Sequence, residues 1–221
     1  MVDKKVTAVS AQKRNPNRVN VFLDGEYGFS LSRIVAAWIE PGRMLDQNKI
    51  NELIDQDLDE TIFQSALRFL GYRPRSEKEI KTKLQQKGFP DEKIDSVIRK
   101  MRDSNMIRDD QFAISWVESR NEFHPRSQRL IRYELRNKGI KEEVITEVLQ
   151  HSTNDQQMAE KAAEKMKNRY AGLDWQNFRN KFSAYLARKG FTYDVISTTV
   201  KRTWDELQSE KNYGKNEDPG E

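Results

Sequence analysis

The sequence predicts a mostly α-helical fold. Tandem three-helix-bundle repeats form an elongated curved array, preceded by a small N-terminal β-hairpin or three-strand element. Three observations carry this. "LQQKGF" at 84–89 returns as "LRNKGI" at 135–140 and "LARKGF" at 186–191, spaced by 51 residues each time. A "DG" pair at 24–25 sits between alternating apolar residues. After Asp46, helical periodicity dominates to about Ser209.

In chain order, Val6 to Ala11 alternates loosely, and "NPN" at 15–17 marks a turn. Val19, Val21 and Leu23 then alternate with Arg18, Asn20 and Phe22, and Tyr27, Phe29 and Leu31 follow the "DG". Gly accepts the positive φ of a tight hairpin turn, so two or three strands are expected. Strands this few need a helix to lean on. The apolar segment Ile34–Ile39 is the expected short helix, and "EPG" at 40–42 breaks the chain after it. This element spans 1–45.

The repeat then sets the frame. Lys87, Lys138 and Lys189 share one register, as do Gly88, Gly139 and Gly190. Upstream, Ile80/Leu84, Ile131/Leu135 and Phe182/Leu186 lie one turn apart on a helix face. The Gly ends that helix, because a left-handed residue after a helix is cheap only for Gly. The next helix opens with acids at its positive end, Asp91/Glu92, Glu142/Glu143 and Asp194, and buries Ile94/Ile98, Ile145/Leu149 and Ile196/Val200. A preceding helix is expected near 58–71, 109–122 and 155–171. "RPRS" at 73–76 and "HPRS" at 124–127 join first helix to second, with Ser76 and Ser127 as N-caps and Glu79 completing a capping box. In the third copy Asp174 is the expected cap. The segments are 46–107 with a lead-in helix, 108–152 and 153–209. The tail from Gln208 has no apolar period, so 210–221 is expected to be disordered. A fixed period of this size signals stacked supersecondary units.

The polar faces of the second helices hold the candidate contacts. With residue 129 at 0° and about 100° per residue, Arg132 falls near 300°, Arg136 near 340°, Arg126 near 60° and Tyr133 near 40°. Ile131 and Leu135 face the other way. No Asp or Glu falls inside this arc, although Glu134 is nearby. Arg suits bidentate binding of carboxylate or phosphate, and an aromatic in a basic arc can stack on a base or a side chain. Arg75, Lys78 and Lys81 hold the matching places in the first repeat. Asn177, Asn180 and Ser183 hold them in the third, which is not basic.

Composition excludes several classes. There is no Cys, hence no disulfide, thiolate site or Cys nucleophile. The first residues lack a signal-peptide core, and no apolar run reaches the roughly 18 residues of a membrane span. A soluble cytoplasmic protein is expected. The net charge of +4 favours acidic partners, nucleic acid among them. His124 and His151 are the only histidines, and neither a GxxxxGK[ST] nor a GxGxxG loop is present. "DLDE" at 57–60 reads better as helix-start acids than as a cation site. No catalytic residue, metal site or cofactor is expected.

Three stretches carry a resemblance: "ALRFLGYRPRSEKEIKTKLQQKGF" at 66–89, "FAISWVESRNEFHPRSQRLIRYELRNKGI" at 112–140 and "KFSAYLARKGFTYDVI" at 181–196. The tandem combination resembles the bacterial regulatory protein RecX family. The resemblance implies a non-enzymatic modulator that binds RecA recombinase filaments on single-stranded DNA. Such a protein blocks their extension or destabilises them, lowering ATPase, strand-exchange and coprotease activity in recombination and the SOS response. Arg73, Arg75, Arg126 and Arg129 are the matching polar positions and become candidate contacts. The N-terminal hairpin region departs most from the family pattern. A monomer is expected, with single- or double-stranded DNA as a further candidate partner. The alternative is a helix-turn-helix-like DNA-binding or architectural protein without a recombinase partner.

Overall fold

The computed structural model describes residues 3–216. The chain forms two compact units, divided after Ile107.

The first unit opens with an antiparallel sheet of β1 (Lys4–Ala11), β2 (Arg18–Leu23), β3 (Glu26–Ser32) and β4 (Met44–Leu45), in the order β3-β2-β1-β4. Strict alternation buries Val19, Val21 and Leu23 on one side of β2. The β2–β3 turn holds Asp24 at φ 52° and Gly25 at φ 93°, the paired positive φ values of a type I′ hairpin turn. β4 is a fourth strand beyond the two or three expected. It pairs with Lys4 and Lys5, and two residues are too few to show a period. The short helix expected at Ile34–Ile39 is instead a run of turns. Ala36 and Ile39 still seal the sheet core, while Ile34 is 66% exposed.

Helix α1 (Gln47–Leu70) is capped by Asp46, which accepts from the Lys49 N–H at 2.6 Å. The lead-in helix and the first repeat helix are thus one rod. Its first half lays Ile50 and Leu53 on the sheet, and its second half gives Ile62 and Ala66 to the first repeat core. "DLDE" therefore lies mid-helix, not at a helix start. Asp57 is buried, bonds Arg18 at 2.7 Å and accepts from the Ser32 N–H at 2.6 Å, tying the sheet to α1. Asp59 lies 3.1 Å from Lys93. The first repeat continues with α2 (Glu77–Gln85) and α3 (Asp91–Asp103) around Ile80, Leu84, Ile94 and Ile98.

The second unit contains two repeats. The first of these is α4 (Asp109–Phe123), α5 (Gln128–Asn137) and α6 (Glu142–Gln150), around Phe112, Ile131, Leu135 and Ile145. The last repeat is α7 (Asp155–Glu164), the short α8 (Lys167–Tyr170), α9 (Trp175–Arg188) and α10 (Tyr193–Asn216). Its expected first helix at 155–171 is broken, with Met166 at φ −126° between the two pieces. α10 continues beyond Gln208 to Asn216, past the expected start of the tail. Leu207 still packs into the core, and the following residues are mostly tolerated in a helix. Of the expected tail, 217–221 lie outside the described residues.

The punctuation matches its physical origin. Ser76, Ser127 and Asp174 cap α2, α5 and α9, and Ser76 and Glu79 form the capping box. Gly88, Gly139 and Gly190 have φ of +80°, +83° and +89°. Within the second unit the two repeats dock through these same punctuation residues. The Ser127 N–H donates to the Lys189 carbonyl at 3.0 Å, and the Gln128 N–H donates to Asp155 Oδ1 at 2.7 Å.

Candidate partner-binding face

In the first repeat the basic residues divide by environment. Arg73 bridges Glu79 at 3.0 Å. Arg75 lies over the Phe69 ring, 4.1 Å from its centroid, and burial and neighbouring Arg73 push its guanidinium down. Lys81 reaches Asp95 on α3, and that hydrogen bond raises its ammonium. Lys78 is exposed and has no ion-pair partner among the described residues.

On α5 the burial of Ile131 and Leu135 turns the opposite side outward, and Tyr133 is 61% exposed there. The arginines of this arc are not bare, and here the sequence reading needs correcting. Arg126 bonds Glu134, whose carboxylate also accepts from Arg120 Nε and Trp116 Nε1, both at 2.8 Å. Arg120 in turn stacks on Trp116 at 4.1 Å. Burial and the charge of Arg120 push the Arg126 guanidinium down. Arg132 bonds Glu142 and Thr146, and Arg136 bonds the same Glu142 at 2.7 Å. Arg129 donates to the Gly190 carbonyl at 3.3 Å. The wheel sets Glu134 beside the arc but treats one helix alone, so it shows neither the partners of Glu134 nor the approach of Glu142. Glu134 works with a side chain from α4, and Glu142 is a helix-start acid that folds back onto α5.

The clamp on Glu142 makes a pH prediction. Arg136 first, then Arg132, holds this carboxylate below the usual glutamate range. A lowered pKa contributes stability above the unfolded value of about 4.3 and loses it as pH falls through the folded value. Glu142→Gln is therefore expected to be less stable than the native chain at pH 7. The gap should close at an acid pH below the lowered folded value, where the native carboxyl is protonated too. Urea midpoints at both pH values check this, and a pH-independent gap would contradict it.

The described residues hold no cluster of His and acidic side chains arranged for a metal ion, and none of their helices is long and apolar enough to cross a membrane. Carboxylate-paired arginines with exposed edges and one outward tyrosine make up this face of α5.

Comparison with known proteins places this architecture. The regulatory protein RecX N-terminal domain model matches residues 4–46. The first, second and third RecX three-helix domain models match 63–101, 109–149 and 154–200. The chain belongs to the RecX family. Regulatory protein RecX of Bacillus velezensis is 34% identical over 90% of this chain and 77% of its own length. That of Bacillus subtilis is 33% identical over 88% of this chain and 75% of its own. A crystal structure of regulatory protein RecX superposes with a TM-score of 0.69 at 28% identity, covering 89% of this chain and 98% of that one. RecX from Lactobacillus salivarius gives 0.57 at 29% identity, over 68% and 98%. The family is one of regulatory proteins. The β element, which departs most from the family pattern in the sequence reading, is itself a family domain.

Proposed function

We propose that this chain binds RecA recombinase filaments on single-stranded DNA and restrains them, by blocking extension or by destabilising the filament. The observation that carries this reading is the match of all four RecX family domains, in order, along one chain. The exposed Lys78 and Tyr133, and the outer edges of Arg132 and Arg136, support it as contacts to a partner with acidic surface. Arg73, Arg75, Lys81, Arg126 and Arg129 then act mainly by shaping the faces that carry those contacts.

Duplex reading by α5 is the weaker alternative. Arg126, Arg132 and Arg136 each sit on a carboxylate, so α5 does not offer the run of unpaired cations that neutralising several duplex phosphates needs. Adding the chain to RecA on single-stranded DNA is expected to lower ATP hydrolysis. Unchanged hydrolysis, with salt-sensitive binding to naked DNA, would overturn the proposal in favour of the alternative.

A further inference from the structure

The 51-residue register lets equivalent positions be compared across the repeats. In the first repeat, polar bridges close the seam between second and third helices: Lys81–Asp95, Gln85–Asp91 at 2.8 Å and Glu77–Arg102 at 2.8 Å. In the second, Arg132 and Arg136 close it through Glu142. The third repeat keeps the helices and loses these bridges. Ser183 stands where Lys81 and Arg132 stand, and Ala187 where Gln85 and Arg136 stand. Tyr193 replaces Asp91 and Glu142, and Trp204 replaces Arg102.

The result is an open groove of about 670 Å³ between α9 and α10. Small side chains and the aliphatic Ile196 and Val200 line it, with Trp175, Tyr193 and Trp204 as aromatic walls. Tyr193 is 75% exposed and Trp175 39%. Arg179 on α9 and Lys201 on α10 also line it, both exposed and without ion-pair partners among the described residues. Asp205 is the one acid in the lining.

We propose that this groove docks an acidic segment of a protein partner, anchored by apolar side chains. Apolar anchors at helical spacing fit the small-residue floor and aromatic walls. A cation on each wall complements carboxylates flanking such anchors. Single-stranded nucleic acid fits less well, because its backbone asks for a stripe of cations beside the stacking platforms. The proposal rests on the groove and holds whether or not the partner is the recombinase.

The test uses the full chain and three labelled probes. One is an amphipathic peptide with Leu at i, i+3 and i+7 and glutamates on both flanks. The second has lysines in place of the glutamates, and the third is oligo-dT. The combined variant Ser183→Arg, Ala187→Arg, Tyr193→Glu transplants the second repeat's closing bridges into the third. Anisotropy titrations should show the native chain binding the glutamate-flanked peptide, with the transplant weaker by at least about tenfold. Arg179→Glu with Lys201→Glu, on exposed positions that leave the fold intact, should shift preference to the lysine-flanked peptide, and this arm decides if the transplant fails to fold. The proposal is overturned if the native chain does not bind the glutamate-flanked peptide, or if both variants bind it equally well. Groove-dependent binding of oligo-dT in its place, or of a second copy of the chain, overturns it too.

Discussion

Replacing Glu134 with Gln is expected to cost about 3 kcal/mol of stability, a large share of the 5–15 kcal/mol typical of a domain. The carboxylate is shared by Trp116 Nε1, Arg120 and Arg126. Its side chain is only 12% exposed, and those of Arg120 and Arg126 are 16% and 33% exposed. Gln keeps one acceptor oxygen and loses the charge. Two half-buried guanidinium groups are then left close together, and the repulsion that already lowers Arg126 is no longer offset. Removing one member of a buried ionic group leaves uncompensated charge, which is why the loss exceeds that of a surface pair. Glu118→Gln on the exposed side of α4 is the control and should shift stability by less than about 0.5 kcal/mol. Urea unfolding of both variants decides it. Equal midpoints would mean that Glu134 is merely a surface acid.

Gly190→Ala should be the second large loss, about 2–4 kcal/mol, against about 1 kcal/mol for Gly88→Ala. Both glycines have positive φ, at +89° and +80°, so both variants pay the left-handed penalty. The surroundings differ. A Cβ on Gly190 would meet Ser127 Oγ at 2.5 Å and Leu130 Cβ at 2.9 Å, whereas nothing lies within 4 Å at Gly88. Ser127 cannot swing away cheaply, because its hydroxyl caps α5 by accepting from the Leu130 N–H at 3.2 Å. The Gly190 carbonyl also receives Arg129. The substitution therefore pries apart the docked repeats of the second unit. Thermal unfolding of the pair provides the comparison, and equal losses would show that backbone conformation alone governs Gly190.

The repeat period made most of the helical fold legible. Leu84, Leu135 and Leu186 are buried, their glycines adopt positive φ, and Ser76, Ser127 and Asp174 cap as their positions imply. These are local effects, written within a few residues of each helix end. What stayed hidden depends on partners distant in sequence. β4 gains its strand geometry only from β1. Glu134 meets Arg120 across two helices, and Glu142 meets Arg136 only because the Gly139 turn folds α6 back. The α9–α10 groove is a difference between repeats. It is visible only when the bridges of the first two copies are known. Arg126, Arg132 and Arg136 thus belong as much to the internal wiring as to the surface, while Lys78 and Tyr133 remain outward.

Cosedimentation with RecA filaments on single-stranded DNA tests the proposed filament-binding faces directly. It compares the native chain with a Lys78→Glu, Tyr133→Ala, Arg136→Ala variant. These positions are exposed, and Glu142 keeps Arg132 when Arg136 is lost, so helicity by circular dichroism should be preserved. Filament binding by the variant is predicted to fall by at least about tenfold, with a matching loss of ATPase inhibition. Native-like binding and inhibition by a fully helical variant would contradict the assignment of these faces to the filament.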